Sequence, residues 1–109
     1  MATRKKRVAT PIANSEVERL IIEAFPEDPH RAVAIAKCES GLKPTAHNPH
    51  NKDGSTDGGL WQINSVHDKE LNRLGLDKYN PVDATKYARR LYEQNGWGDW
   101  VCAKKLALI

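Results

Sequence analysis

No apolar run in this 109-residue sequence approaches the roughly 18 residues of a membrane span, so the chain is not expected to cross a bilayer. Cysteine is scarce. Cys38 and Cys102 are too few to define a disulfide scaffold, and their spacing is not that of a metal site. The histidines are scattered. His47 and His50 can approach Asp53, but three donors fall short of the four ligands that close a structural zinc site, so no metal is expected. Zinc-finger spacing, an RNA-binding aromatic motif and a long basic recognition helix are all missing, which argues against a nucleic-acid partner. Internal repeats and low-complexity segments are missing too. Met1-Ala2-Thr3-Arg4-Lys5-Lys6-Arg7 is basic like the start of a secretory signal, but Val8 to Asn14 is too short and too polar to continue it. The expectation is a chain without an export signal of that kind.

What remains suits one domain of ordinary composition: 39% apolar, 28% charged, with a mean hydropathy of −0.66. A chain this short buries only about two-thirds of its unfolded surface, so its core is modest and a staple would help. Net charge is +3 and the isoelectric point is near 9.0, which suits an anionic partner without choosing one. Much of the excess lies in Arg4 to Arg7, with Lys104 and Lys105 adding a second pair. Residues 1–13 read as a basic arm, either disordered or docking, and residues 14–109 as the domain.

Ser15-Glu16-Val17-Glu18 forms a capping box ahead of Leu20, Ile21 and Ile22, predicting a helix from Ser15 that Pro26 stops. Asp28 is expected to cap a second helix, with Pro29 at its first position where no amide donor is needed. Val33, Ile35 and Ala36 give that helix a buried character, and Gly41 suits its C-terminal cap. From Pro44 to Gly59 the composition shifts to Asn, Asp, Gly, Pro and His. This is turn chemistry, with Lys52-Asp53-Gly54-Ser55 as a hairpin tip and Leu60-Trp61-Gln62-Ile63 returning from it. A short helix over Lys69 to Leu74 ends at Gly75. Asn80-Pro81 opens another, with Val82, Ala84, Tyr87, Ala88, Leu91 and Tyr92 near the roughly 3.6-residue helical period, closing at Gly96. A last helix is expected from Trp97 to about Leu106. The class is α+β, mainly α, with a small β-hairpin.

Glu39 falls in the last turn of the second helix. A carboxylate there is disfavoured by the helix dipole, and an apolar wall beside it would further favour its protonated form. Glycosidic cleavage needs such an acid, able to protonate the leaving oxygen near neutral pH. Hydrolysis by two carboxylates needs a second one. Asp57, on the returning arm of the hairpin, can be folded back opposite the helix end. Asp53 competes with it, although the Asp-Gly turn already accounts for Asp53. Taken singly, Glu39 is an ordinary exposed helix residue and Asp57 a turn-capping aspartate. Asn51-Lys52-Asp53-Gly54 superficially suggests a calcium loop. With Gly54 as the sixth residue, Pro49 and Leu60 fall at the first and twelfth ligand positions, where neither can ligate.

Glu39-Ser40-Gly41, then Asp53-Gly54-Ser55-Thr56-Asp57-Gly58-Gly59-Leu60-Trp61-Gln62-Ile63-Asn64-Ser65, resembles the lysozyme superfamily. The Asp53–Ser65 segment is similar to animal c-type lysozymes. Glu39-Ser40-Gly41 and Gly96-Trp97-Gly98-Asp99-Trp100 resemble the soluble lytic transglycosylase-like domains of phages and bacteria. The likeness covers Ala32 to Lys104. It implies a lysozyme-like fold with its hairpin beside an active-site cleft, and cleavage of the β-1,4 bond between N-acetylmuramic acid and N-acetylglucosamine. Glu39 then matches the general acid and Asp57 the second carboxylate. Gln62 and Asn64 match residues lining the sugar cleft, and Trp97 and Trp100 the aromatic region beside the acid. Each of these two tryptophans has core packing as an equal alternative, and Trp61 is open between core and cleft floor.

With Glu39 facing the cleft, Cys38 points about a hundred degrees away and can face the helix carrying Cys102. A bridge between them is then expected, with two buried free thiols as the alternative in a reducing compartment. Animal c-type enzymes carry several disulfides and a signal peptide, whereas at most one bridge and no such signal are expected here. Lytic transglycosylases use a single catalytic Glu and return the sugar's own hydroxyl to the anomeric carbon. Asp57 tilts the reading towards hydrolysis, with transglycosylation to 1,6-anhydromuramic products as the alternative. The expected setting is a phage: a virion-associated lysin or an endolysin, present in the particle or the host cytoplasm and acting on peptidoglycan in the wall or periplasm. Tail or other virion proteins would be partners of the basic arm. The rival from another class is an inactive structural or glycan-binding virion protein. No cofactor is implied.

Overall fold

The computed structural model describes residues 14–106. The expected arm over residues 1–13 lies outside them. Five helices and three very short strands follow one another: α1 (Asn14–Ala24), α2 (Pro29–Ser40), β1 (His47–Asn48), β2 (Asp57–Gly58), β3 (Ile63–Asn64), α3 (Asp68–Leu74), α4 (Pro81–Asn95) and α5 (Val101–Lys105). A 3-10 turn over Ser65–His67 leads into α3. The architecture is mainly helical with a small antiparallel sheet, as the sequence suggested.

Helix α1 starts one residue before the expected Ser15. Its buried face is a stripe of Val17 and Ile21, continued by Phe25 just past its end, each four residues from the last and all fully buried. Pro26 then stops it. Asp28 flanks α2 as expected, but its carboxylate makes no cap hydrogen bond and pairs with Arg31 Nε at 3.1 Å. Gly41 ends α2 in the left-handed conformation, with φ of 67°. Asn80 caps α4 fully, its Oδ1 accepting from the backbone of Val82 and Asp83. Val82 is 42% exposed, contrary to its place in the expected stripe. Two positions from the buried Ala84, it lies about 200° away around the helix.

The sheet is wider than the expected hairpin. Strand β2 is central, with Asp57 opposite both Asn48 and Asn64, and Gly58 opposite both His47 and Ile63. The stretch expected to return as one strand is mostly the tight turn between β2 and β3. Leu60 and Trp61 lie in that turn and are fully buried. Gly59 makes the turn possible: its φ is +85°, and a Cβ would collide with the Lys78 carbonyl oxygen.

The last expected helix is also shorter. Trp97 to Trp100 form a turn closed by Trp100 N–H to the Trp97 carbonyl, and only Val101–Lys105 are helical. Gly96 and Gly98 weaken any helix here, and the turn sends both indoles inward. They join Phe25, Trp61 and Tyr92 in an aromatic core, with ring centroids from 4.4 Å for Tyr92–Trp97 to 5.8 Å for Trp97–Trp100. Trp61 Nε1 donates to Thr85 Oγ1 at 3.1 Å, and Trp100 Nε1 donates to the Trp61 carbonyl at 3.1 Å. These bonds satisfy two buried polar groups that would otherwise oppose burial. No helix among the described residues is long and apolar enough to cross a membrane.

Candidate active site

A cleft of about 490 Å³ runs between the end of α2, the sheet with its long β1–β2 loop, and the turn into α5. Glu39 lies on its helical side. The sequence puts it in the last turn of α2, and two contacts fix that turn. Ser40 Oγ donates to the Leu60 carbonyl at 2.7 Å, tying the helix end to the β2–β3 turn. Cys38 is bridged to Cys102, with Cα atoms 6.0 Å apart, tying the same end to α5. This is the pairing expected above, with the two sulfurs bonded in this structure. The backbone N–H of Cys102 then donates to Glu39 Oε2 at 3.0 Å.

Burial is the main force on the Glu39 carboxyl and raises its pKa above the ordinary glutamate range. The Cys102 N–H opposes this by favouring the charged form, the negative Asp57 adds to the rise, and the Lys105 ammonium pulls the other way. The net direction is upward, which suits a proton donor.

Asp57 belongs to the central strand on the other side of the cleft. Its Oδ1 accepts from Asn64 Nδ2 at 2.9 Å and its Oδ2 from Asn51 Nδ2 at 3.1 Å. Both amides also donate to Ser55 Oγ, at 2.9 and 3.2 Å. Ser55 Oγ in turn donates to Asp53 Oδ1 at 2.6 Å. Asp53 is therefore the outer anchor of this network; the Ser55 hydroxyl and N–H hold its carboxyl below the usual aspartate range. Asp57 is the inner end, with both carboxylate oxygens engaged as acceptors.

The other residues singled out from sequence are distributed unevenly. Gln62 lines the cleft in a left-handed backbone conformation, φ 49°, uncommon for a residue with a side chain. Its Nε2 donates to the Gly59 and Ala46 carbonyls at 3.0 and 3.3 Å. Asn64 also lines the cleft, but its amide holds Asp57 and Ser55, while its Oδ1 caps the 3-10 turn by accepting from Val66 N–H at 2.9 Å. Trp100 lines the cleft while only 3% exposed. Trp97 is not among the lining residues and packs behind Trp100; Trp61, fully buried, is core.

Sequence reasoning passed over Asn51, Ser55 and His67. The first two sit in a stretch rich in turn formers, where nothing separates a clamp from a turn residue. His67 lines the cleft and shares a 3.0 Å hydrogen bond between its Nδ1 and the hydroxyl of the buried Tyr87. Its helix-side partner lies 20 residues on, beyond any local signal. His47 shares a hydrogen bond with Tyr79 Oη at 2.8 Å, and the described residues contain no metal-binding group of His, Cys, Asp and Glu.

A mainly helical domain with a half-buried carboxyl of raised pKa and a clamped carboxylate lining one cleft has the architecture of a glycosidase-type site. Comparison with known proteins gives the family. The family described as "Lysozyme like domain" matches residues 24–102, and the chain belongs to it. The invasion protein IagB of Salmonella typhimurium is 56% identical over 45 residues, covering 41% of this chain and 28% of that protein. IagB of Salmonella typhi matches to the same extent. Protein IpgF of Shigella flexneri is 37% identical over 65 residues, covering 56% of this chain and 42% of IpgF. The chain thus spans well under half the length of these curated relatives.

Proposed function

We propose that this domain cleaves the glycan strands of peptidoglycan at the β-1,4 bond between N-acetylmuramic acid and N-acetylglucosamine, with Glu39 as general acid. The observation that carries the reading is Glu39 itself, a half-buried carboxyl with a raised pKa in a cleft whose far side holds Asp57. Membership of the lysozyme-like domain family supports the same reaction class. Protonated Glu39 gives its proton to the leaving oxygen, and positive charge grows on the anomeric carbon and ring oxygen. Asp57, clamped by Asn51 and Asn64, meets that charge with a fixed negative one at no reorganisation cost. Deprotonated Glu39 then acts as base. With water as the nucleophile the reaction is a hydrolysis, which a second carboxylate in the cleft favours.

A second reading has an observation of its own. Both Asp57 oxygens already accept amide hydrogens, so Asp57 is built as a fixed charge more than as a base for water. Glu39 alone then activates the acceptor, and the muramyl 6-hydroxyl can serve, closing a 1,6-anhydro ring. An inactive glycan-binding protein would have no need of the raised carboxyl. In a peptidoglycan zymogram, wild type is expected to clear and Glu39→Gln is not; equal clearing would remove the proposal. Mass analysis of the fragments then separates reducing ends, from hydrolysis, from anhydromuramic ends.

The phage setting, as virion lysin or endolysin with virion partners, is a further proposal resting on sequence character alone. The relatives named above are Salmonella and Shigella proteins, two of them invasion proteins. Finding this polypeptide in purified particles by mass spectrometry would support the phage setting, and finding it only in uninfected cells would refute it.

A further inference from the structure

The residue that donates to the proposed acid is also half of the disulfide. Cys102 gives its backbone N–H to Glu39 Oε2 at 3.0 Å, and its Sγ is bonded to Cys38, the residue preceding Glu39. One crosslink therefore joins the helix bearing the acid to the segment bearing its hydrogen-bond donor. Apart from the bridge, that segment is held by Trp100, whose Nε1 donates to the Trp61 carbonyl, and by the buried Ala103. Helix α5 has five residues, far short of the roughly 12–15 at which isolated helices become even marginally stable. Only Cys102 and Ala103 of it are buried, while Val101 is 69% and the following Leu106 43% exposed. Cys38 is itself exposed, whereas Cys102 is 5% exposed, so a reductant meets the bridge from the Cys38 side.

We propose that the Cys38–Cys102 disulfide is a positioning element for Glu39, so that glycan cleavage runs with the bridge closed and falls when a dithiol opens it. The inference rests on Glu39 acting as the acid described above. The opening is an ordinary exchange. A thiolate of the dithiol attacks Cys38 Sγ, the S–S bond breaks, and Cys102 Sγ leaves as a thiolate that takes a proton from water. The second thiolate of the dithiol displaces Cys38 Sγ, which is protonated in turn. The reductant leaves as a disulfide, having supplied two electrons. With the tether gone, the Cys102 N–H is no longer pinned against Glu39. The active form thus belongs to an oxidising compartment and the silent form to a reducing one.

Three groups act on the Glu39 carboxyl from the elements packed around it: Asp57 on β2, and the Cys102 N–H and Lys105 on α5. Both α5 groups favour the charged form, while the same segment helps to bury the carboxyl, so loosening α5 changes every influence on Glu39 except that of Asp57. A purely structural bridge would lower the folded fraction and leave the Glu39 titration of the folded molecules where it was.

The test compares the full chain oxidised, the same chain reduced with dithiothreitol and alkylated, and Cys38→Ser. Circular dichroism at the assay temperature follows folding, carbon-13 NMR follows the Glu39 carboxyl, and release of soluble fragments from purified sacculi follows cleavage across pH. Opening the bridge is expected to lower kcat by roughly a hundredfold, the effect of a misplaced catalytic group. The Glu39 titration and the alkaline limb of activity should shift together. An unchanged Glu39 titration in folded, bridge-free protein would overturn the inference, as would a rate loss that merely tracks lost helix signal. Oxidised protein that releases nothing would refute the proposed reaction, while the carboxyl titration would still decide the coupling.

Discussion

Asn64 Nδ2 bridges Asp57 Oδ1 and Ser55 Oγ, both at 2.9 Å, so its amide is spent on aiming a carboxylate. Sequence likeness assigns Asn64 to the sugar, whereas its contacts make it a positioning residue for Asp57. Asn64→Ala should therefore lower kcat by roughly a hundredfold while KM changes little. Steady-state kinetics on soluble glycan fragments check this. A rise in KM with kcat intact would return Asn64 to substrate binding.

In the proposed role Glu39 must be protonated, so activity should fall as pH rises through its elevated pKa. Glu39→Gln should cost on the order of a hundredfold to ten-thousandfold in rate at every pH. A pH–rate profile of both proteins provides the check.

The same shift has a stability consequence of definite sign. A carboxyl whose folded pKa lies above its unfolded value binds its proton more tightly when folded. Its contribution is fully present below the unfolded pKa and is lost as pH rises through the folded pKa. Glu39→Gln removes that loss and keeps an acceptor for the Cys102 N–H. The variant should melt higher than wild type at neutral pH, with the gap closing below the ordinary glutamate range. Thermal denaturation at pH 7 and pH 3 tests it; a gap that widens in acid would contradict the assignment.

Trp97, 6% exposed and packed against Phe25, Tyr92 and Trp100, should act through the core. Trp97→Ala is expected to cost about 3–5 kcal/mol in urea unfolding. Trp100→Phe removes the donor to the Trp61 carbonyl and alters the cleft wall, so it should change both stability and rate.

Gly59→Ala should prevent folding or nearly so, since a Cβ meets the Lys78 backbone in a conformation that already disfavours side chains. Gly54→Ala, with nothing near its Cβ, carries only the backbone strain and should be milder. Comparing their denaturant midpoints tests the difference.

The sequence by itself determined the first four helices and marked Glu39 as the candidate acid. The Ser15–Glu18 capping box and Pro26 around α1, Pro29 and Gly41 around α2, and Asn80-Pro81 ahead of α4 are local signals, each acting within a turn or two of chain. Glu39 and Asp57 were legible through a motif whose residues lie close together. Tertiary structure decided what depends on partners far along the chain. It made Trp61 core by giving it Thr85 and Trp100, 24 and 39 residues away. It split the expected hairpin into three strands, because Leu60 and Trp61 could be buried only if the chain turned at Gly59. It also set the Cys102 N–H on Glu39, 63 residues distant, and buried the carboxyl enough to raise its pKa against that hydrogen bond. Periodicity and capping can reveal a helix and a carboxyl at its end, but the desolvation that shifts a proton exists only once distant segments have closed around it.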